Sequence, residues 1–496
     1  MTHATGTAQD RDAMNRMGKT QELMASWNLN GFAIFGYSLV LGNAWVVAII
    51  TSIFGLTNGG TAGIIWSFIV VLFGMFCSTL SMAEMASMAP TAGCQYHWVS
   101  EFAPPRAQKI LSYLVGWMCV LGWQTAMAAS AYTPALAPQG LIAINNPTYT
   151  LAPYQAYLFT VAILLVSILI NIFLIRKFKP IETAMVIFFF LSWISISSPS
   201  SGRRAKKAPA RQVFTSFSDG SGWGSLGLAT LIGGLTAAHL SEELVDSSYA
   251  LPRAMVLTAL ANYLTATVAV ITLCFTLGGS AEDLLETRYG QPYIQVLYNA
   301  VRSRGDASVL AAVVTVLLLF TSINQVATTS RQLYAFARDD GFPFSGVLKK
   351  VVNPMYNIPV NSLFATFMFT FLFGLIVLGS NVAFNILTTL SSSGLLTSYI
   401  VCIGCILHKR VTRPNELPPS RFSLGRFVVA VNIVALSLLA VIFVFLFFPP
   451  IPRPAPAEMN WTVLIYGVTL VGCLVFYMLV GRHRYQAPVA LVKKEY

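Results

Sequence analysis

Residues 32–54 read Phe32-Ala-Ile-Phe-Gly-Tyr-Ser-Leu-Val-Leu-Gly-Asn-Ala-Trp-Val-Val-Ala-Ile-Ile-Thr-Ser-Ile-Phe54, without a single charged side chain. About 20 consecutive apolar residues are enough to cross the hydrocarbon core of a bilayer as a helix. Gly36, Ser38, Gly42 and Asn43 fall in the middle of this run, and all four are poor helix formers. The stretch therefore predicts a membrane-spanning helix that is broken near its centre.

Similar apolar runs recur along the rest of the chain. They lie at 62–83, 109–133, 155–175, 181–198, 226–240, 254–278, 307–330, 358–379, 383–407, 427–448 and 461–481. The runs at 181–198 and 226–240 are short. Alternating segments of about ten residues, which mark a membrane β-barrel, do not occur in the sequence. The sequence thus predicts an all-α polytopic membrane protein with about twelve transmembrane helices.

The composition excludes several other classes of protein. Hydrophobic residues make up 55% of the 496 residues and charged residues only 10%, with a net charge of +12. Soluble domains average about 25% charged residues, so this chain cannot cover a soluble globule of its size. A disordered chain would be less hydrophobic. A nucleic-acid-binding module would carry its basic residues on a folded soluble surface, so no nucleic-acid partner is expected.

The distribution of Lys and Arg predicts the orientation in the membrane. Placing both termini in the cytoplasm puts most of the 31 basic residues inside. One cluster, Arg203, Arg204, Lys206, Lys207 and Arg211, does not fit. Either both short runs cross the membrane and this cluster lies outside, or neither crosses and residues 182–240 dip in from the cytoplasmic side. Charge counting leaves both options open.

Catalytic and metal-binding signatures are missing from the sequence. It contains no H-E-x-x-H, no paired-cysteine zinc spacing and no defensible Ser-His-Asp order. The pair Cys402-Ile-Gly-Cys405 is read as helix packing rather than as a redox motif. We therefore expect neither an enzyme nor a bound metal or cofactor.

The few carboxylates near the apolar runs are candidates for gating or coupling. Glu84 lies at the inner end of the second run, and Glu242 and Glu243 follow the sixth. An ionisable group at membrane depth is a functional candidate, although a solvated helix end explains these three equally well. No span interior is expected to carry a fixed charge. Recognition would then rely on helix dipoles, backbone carbonyl groups and aromatic faces.

Two broken helices would provide such groups. Gly233 and Gly234 lie within the sixth run, in the place that matches Gly42 and Asn43 of the first run if repeats cover spans one to five and six to ten. The alternative is that these glycines only allow close helix packing. Trp45 and Trp123 are candidates for binding a cationic or amphipathic solute, although most tryptophans serve as interface anchors or core residues.

Several loop motifs carry a resemblance to a known family. They are Met17-Gly-Lys-Thr-Gln-Glu-Leu23, the segment from Ser81 to Pro104, His239-Leu-Ser-Glu-Glu243 with Leu251-Pro-Arg-Ala-Met255, and the segment from Ser330 to Phe344. Together they resemble fungal permeases of the amino acid/choline transporter family, in the amino acid–polyamine–organocation superfamily. The resemblance covers about residues 15 to 485.

The resemblance implies a five-plus-five inverted repeat with broken helices one and six, plus two C-terminal helices. It implies a site at the first break, which maps to Ser38, Leu41, Gly42, Asn43 and Ala44. The solute would be choline, 4-aminobutyrate, an amino acid or a polyamine, with a co-transported proton left open. The segments are a tail at 1–30, a first repeat at 31–198, an atypical loop at 199–225, a second repeat at 226–410, the last two spans at 411–481 and a tail at 482–496.

The region around the sixth span departs from the family. Relatives carry roughly a dozen further residues between the equivalents of Gly233 and His239 and have a longer fifth span. The function expected is a secondary transporter that works by alternating access in the plasma membrane, with a vacuolar or other internal membrane as the alternative. The competing interpretation is a non-transporting solute sensor, an inactive paralogue or an incorrectly joined reading frame, because the sixth span is truncated.

Overall fold

The computed structural model describes residues 31–89, 94–174, 177–200, 208–220, 222–238, 251–351, 358–379, 381–418, 420, 422–449, 451–456 and 459–488. Its α-helices are α1 Gly31–Gly42, α2 Ala44–Gly55, α3 Gly60–Met88, α4 Cys94–Phe102, α5 Gln108–Asn145, α6 Pro153–Phe173, α7 Phe178–Ser200, α8 Ala210–Thr215, α9 Leu226–Ala238, α10 Leu251–Thr276, α11 Ala281–Leu285, α12 Pro292–Val301, α13 Arg304–Arg338, α14 Ser345–Leu348, α15 Val360–Gly379, α16 Asn381–Thr412, α17 Val428–Phe445, α18 Thr462–Phe476 and α19 Arg482–Arg484. This is the all-α polytopic bundle that the apolar runs predict.

Among the residues that the structure describes, eleven helical segments are long and apolar enough to cross a membrane, with α1 and α2 together forming the first. The sixth expected span, α9, has only 13 residues among those that the structure describes. A helix rises 1.5 Å per residue, so the described part of α9 is about 20 Å long against a hydrocarbon core of about 30 Å. The helical segments for spans one to five and seven to twelve agree with the prediction.

The fifth span is longer than the sequence suggested. The apolar run appeared to begin at residue 181, but α7 begins at Phe178 and continues for 23 residues to Ser200. Pro180 lies in the first turn of α7, where a missing N–H breaks no helical hydrogen bond. Ser197, Ser198, Pro199 and Ser200 therefore form the last described turn of the helix.

The two ends of the bundle can be defined along α3. We call the end near Gly60 the outer end and the end near Met88 the inner end, since 29 residues separate them. The turn at Thr57–Gly60 joins α2 to α3 at the outer end. The last described residues lie at the inner end, where the Tyr485 hydroxyl lies 2.7 Å from Ser112 Oγ in the first turns of α5.

The segment after α7 lies at the outer end. The Gly59 N–H donates to the carbonyl oxygen of Ser218 at 2.7 Å, and the Gly220 N–H donates to that of Thr57 at 2.8 Å. Because α7 is long enough to span and this segment packs on the α2–α3 turn, the option in which residues 182–240 dip in from the inner end is wrong. Arg211 therefore lies at the end opposite the described C-terminus.

Small residues allow the closest helix contacts in the core. A Cβ placed on Gly394 of α16 would lie 2.7 Å from the Met118 carbonyl oxygen and 3.0 Å from the Gly122 nitrogen, both in α5. Such close backbone approach between membrane helices requires residues without large side chains. The third and tenth spans are therefore in close backbone contact at this crossing.

Candidate functional site

The first span is broken at Asn43, as the sequence predicts. Asn43 adopts φ 40° and ψ 41°, the left-handed region, between the end of α1 and the start of α2. Asparagine enters this region more readily than most residues. Ser38, Leu41, Gly42, Ala44 and Trp45 are all buried around the break.

Side chains from two other spans hold the break in place. Asn43 Nδ2 donates to Thr321 Oγ1 of α13 at 3.1 Å. Thr321 Oγ1 in turn donates to the Val40 carbonyl oxygen at 3.0 Å. From α10, Asn262 Oδ1 accepts the Ala44 N–H at 3.1 Å. These contacts satisfy backbone groups that the break releases, so the geometry of the break is built into the bundle.

Several polar atoms beside the break have no partner within the protein. Asn43 Oδ1, Trp45 Nε1 and both amide atoms of Gln325 are buried without a hydrogen bond. Gln325 is one turn along α13 from Thr321, and it shares a helix face with Ser322 and Thr329, which contact α5. Buried polar groups are nearly always paired, so the unpaired atoms of Asn43 and Trp45 indicate a place where a solute or water binds.

The two candidate tryptophans lie at different levels. Trp45 packs edge-on against Phe189 of α7, with ring centroids 6.1 Å apart. The carbonyl oxygen of Trp123 accepts a hydrogen bond from Thr329. Thr329 lies eight residues along α13 from Thr321, about 12 Å further inward. In the part of the chain that the structure describes, the two indole rings form no contact with each other. The two rings do not form a common aromatic cage, because Trp45 in α2 and Trp123 in α5 lie at different depths in the bundle.

The glycine pair of the sixth span does not break its helix. α9 is continuous through Gly233 and Gly234 as far as Ala238. Glycine costs only about 1 kcal/mol relative to alanine in a helix, so it permits a break without forcing one. Thr230 of α9 packs on Gly59 and Gly63 at the start of α3, and this contact holds α9 against α3. Glu242 and Glu243 lie outside the described residues.

Glu84 is a buried member of an ion pair rather than a solvated helix end. Its Oε2 lies 2.9 Å from Arg410 Nη2 of α16, and the two side chains are 2% and 14% exposed. Nearby, Tyr96 of α4 donates to Asp339 Oδ2 at 2.9 Å. Burial raises the pKa of the Tyr96 hydroxyl, and the Asp339 carboxylate raises it further. Buried polar contacts therefore join the helices at the inner end.

One span does carry an ionisable group, contrary to the expectation that none does. Glu182 of α7 is fully buried, and its Oε2 accepts from Asn324 Nδ2 of α13 at 3.3 Å. The sequence placed Glu182 at the edge of an apolar run, but α7 begins four residues earlier. A run rich in polar residues inside the eighth span, from Thr321 to Gln332, is the sequence signal by which this region could have been found, because such residues are costly in a lipid-facing helix.

No group of three or more His, Cys, Asp or Glu side chains among the described residues could hold a metal ion. The arrangement around the break instead offers amide, hydroxyl and indole groups. These can bind a small polar solute by hydrogen bonds and aromatic contacts.

Comparisons with known proteins agree with this architecture. A family model for amino acid permeases matches residues 31–470. An uncharacterised amino-acid permease of Schizosaccharomyces pombe is 28% identical, over 98% of this chain and 90% of its own length. A putative amino acid/polyamine transporter of Macrophomina phaseolina is 30% identical, over 86% of this chain and 96% of its own. The choline transporter of Saccharomyces cerevisiae is 27% identical, over 94% and 84%.

Among solved structures, a manganese transporter mutant of Eremococcus coleocola has a similar fold. The TM-score is 0.53 at 12% identity, covering 94% of this chain and 95% of the other. At this identity the likeness concerns the fold alone.

Proposed function

Because this chain belongs to the amino acid permease family, we propose that it is a secondary transporter that moves a small nitrogenous solute by alternating access. The observation that carries the proposal is the break at Asn43, a buried helix interruption where Asn43 Oδ1 and Trp45 Nε1 have no hydrogen-bond partner. Transporters with inverted repeats bind their solutes at such interruptions near the membrane centre.

The groups at the break favour the positive end of a solute. Asn43 Oδ1 is an acceptor without a partner. The Ala44 N–H, which could otherwise bind a carboxylate, already donates to Asn262 Oδ1. The indole of Trp45 adds an aromatic group of the kind that attracts ammonium ions. Among choline, 4-aminobutyrate, amino acids and polyamines, we therefore expect choline or another organic cation to bind best.

We place the protein in the plasma membrane, with both termini in the cytoplasm and the outer end facing the exterior. The excess of Lys and Arg in the segments at the inner end supports this orientation. Residues such as Arg338, Lys349, Arg410 and Arg413 belong to those segments.

The short sixth apolar run, residues 226–240, favours a second candidate, a protein that binds the solute without carrying it. Fifteen residues make a helix of about 22 Å, which does not cross the hydrocarbon core without thinning the bilayer. Transport requires two half-helices that meet near the centre, whereas sensing requires only a ligand-biased change between two states.

Uptake and binding assays separate the two candidates. The chain is expressed in cells that lack their own choline and 4-aminobutyrate carriers, and uptake of each radiolabelled solute is measured. A transporter gives saturable accumulation, and a variant whose sixth span is lengthened by the missing dozen residues serves as the comparison. A sensor gives binding to the purified protein without accumulation. If neither solute, nor an amino acid or polyamine panel, is bound or accumulated, the proposal is wrong.

A further inference from the structure

We propose that Glu182 is the group that takes up and releases a co-transported proton, an inference that rests on the proposed function. Its side chain is fully buried, four residues after the start of α7 and inward from the break. Buried carboxyl groups inside membrane bundles commonly mark the path of an ion or a proton.

Three spans meet at this carboxyl group. Asn324 Nδ2 of α13 donates to Glu182 Oε2 at 3.3 Å and also to the Tyr37 carbonyl oxygen of α1 at 3.4 Å. α1 packs closely on α7 here, since a Cβ on Gly36 would lie 2.6 Å from Val186 Cγ2. The half-helix that precedes the break therefore shares one polar contact with Glu182.

The hydrogen bonds around Glu182 lack a donor. Glu182 Oε1 and Asn324 Oδ1 are both buried acceptors without a partner. An ionised carboxylate only accepts, whereas a protonated one has an O–H group that donates. A proton on Glu182, bonded to one carboxyl oxygen, would remove the buried charge and add one donor to a site with two unpaired acceptors.

The same contacts argue against a metal cation. The Tyr37 and Thr328 hydroxyls lie 2.7 Å apart and both bond to the Asn324 carbonyl oxygen, so they are already engaged. Hard metal cations take about six or more oxygen ligands. The Asn324 N–H that is directed at Glu182 would also repel a cation. These features suit a proton better than a sodium ion.

No cationic side chain neutralises Glu182 by an ion pair within the part of the chain that the structure describes. Titratable and charged groups lie on α7 and on the elements packed against it. They are Lys179 of α7 and Lys177 just before it, Tyr37 of α1, Arg253, Tyr263 and Cys274 of α10, Tyr293 and Tyr298 of α12, and Arg304, Asp306, Arg331, Tyr334 and Arg338 of α13. Arg253, Lys177 and Lys179 are exposed. The charge on Glu182 is thus controlled mainly by burial and by Asn324.

Release of the proton would be coupled to movement of α1. Ionised Glu182 needs water or additional donors, and neither can reach it while α1 packs on α7 at Gly36. Opening of the inner half of the bundle would admit water, and the proton would pass from the carboxyl group to that water. Closing would again favour the protonated form, which gives the two states different proton affinities.

Reconstituted vesicles test the coupling with choline and 4-aminobutyrate as probes. Uptake is measured with and without an inward proton gradient at fixed membrane potential, together with solute counterflow. In the wild type we expect the gradient to stimulate uptake. In Glu182→Gln the ratio of uptake with and without the gradient should fall to one, while counterflow persists at a reduced rate. Glu182→Asp, which keeps the carboxyl group, should retain part of the stimulation.

The matched control is Glu286→Gln, the same chemical change at an exposed carboxylate, which should respond to the gradient like the wild type. Continued stimulation of Glu182→Gln would overturn the proposal. Uptake that requires sodium and does not change with the proton gradient would assign the coupling to a sodium ion. That result would also overturn the proposal.

Infrared titration of the purified protein tests the same group without transport. We expect a protonated-carboxyl C=O band that disappears in alkaline buffer, that is present in the wild type and in Glu286→Gln, and that is missing from Glu182→Gln. Identical titrations of the wild type and Glu182→Gln would refute the assignment. If the wild type moves no solute even by counterflow, transport fails as a function, and the infrared result still decides whether Glu182 binds a proton.

Discussion

Arg410 Nη2 lies 2.9 Å from Glu84 Oε2, and this ion pair ties the inner end of the second span to the inner end of the tenth. Beside it, Ser87 Oγ donates to the Phe422 carbonyl oxygen and accepts the Phe422 N–H, both at 3.3 Å. The loop before α17 is thereby fixed against α3. If the inner end opens between these two spans, the ion pair must break. If the pair stays intact, the two spans must move together.

Removing one partner of this ion pair should destabilise the folded protein. Glu84→Gln or Arg410→Met leaves a buried charge without a partner, which typically destabilises a protein by about 3–5 kcal/mol. We expect both single variants to unfold at a lower temperature in detergent. The double variant removes both charges and should recover most of the loss. A double variant that is as unstable as the sum of the singles would contradict an energetic link between the two groups.

Replacement of Asn43 separates the role of its backbone from that of its side chain. Asn43→Leu places a branched apolar side chain in a left-handed conformation and removes the bond to Thr321, so uptake should be lost while membrane insertion is kept. A lost partner of this kind commonly costs about 1–3 kcal/mol. Asn43→Gly accepts the same backbone angles and should be less impaired. Normal uptake kinetics in Asn43→Leu would exclude Asn43 from the site.

The orientation can be tested by labelling with an impermeant thiol reagent. A cysteine introduced at Thr215, which is exposed at the outer end, should be labelled in intact cells. A cysteine introduced after residue 488 should be labelled only after permeabilisation. The six described native cysteines are buried, which keeps the background low. The reverse labelling pattern would invert the proposed topology.

The α5–α16 crossing predicts opposite effects for two similar substitutions in one helix. Gly394→Ala forces a methyl group to within 2.7 Å of the Met118 carbonyl oxygen, and such overpacking typically costs about 1–3 kcal/mol. Gly404→Ala adds the same methyl group where nothing lies within 4 Å. It should be neutral or stabilising, because alanine is the better helix former. Thermal unfolding of both variants provides the comparison, and equal melting temperatures would argue against a tight crossing.

Features set by local sequence were the ones that could be predicted. The length of each apolar run identified the spans, and the Gly42-Asn43 pair located the first break, because both depend on neighbouring residues. Glu182 was missed because Pro180 and Lys179 made the fifth run seem to begin just before it. Two features depend on how helices that are distant in sequence are positioned along one another. They are the depth of Trp123 relative to Asn43 and the pairing of Asn324 with Glu182. No single stretch of sequence contains that information.

The packing of residues 208–220 on the α2–α3 turn has a consequence for how the chain is made. Arg211 lies in the first turn of α8, within this segment. With the orientation proposed above, its charge must be moved out of the cell against a potential that is negative inside, at about 2.3 kcal/mol for each 100 mV. The hydrogen bonds of Ser218 and Gly220 to the turn form only after that transfer. Biogenesis of the hairpin between the fifth and sixth spans should therefore be slow, and dissipating the membrane potential during synthesis should hasten it.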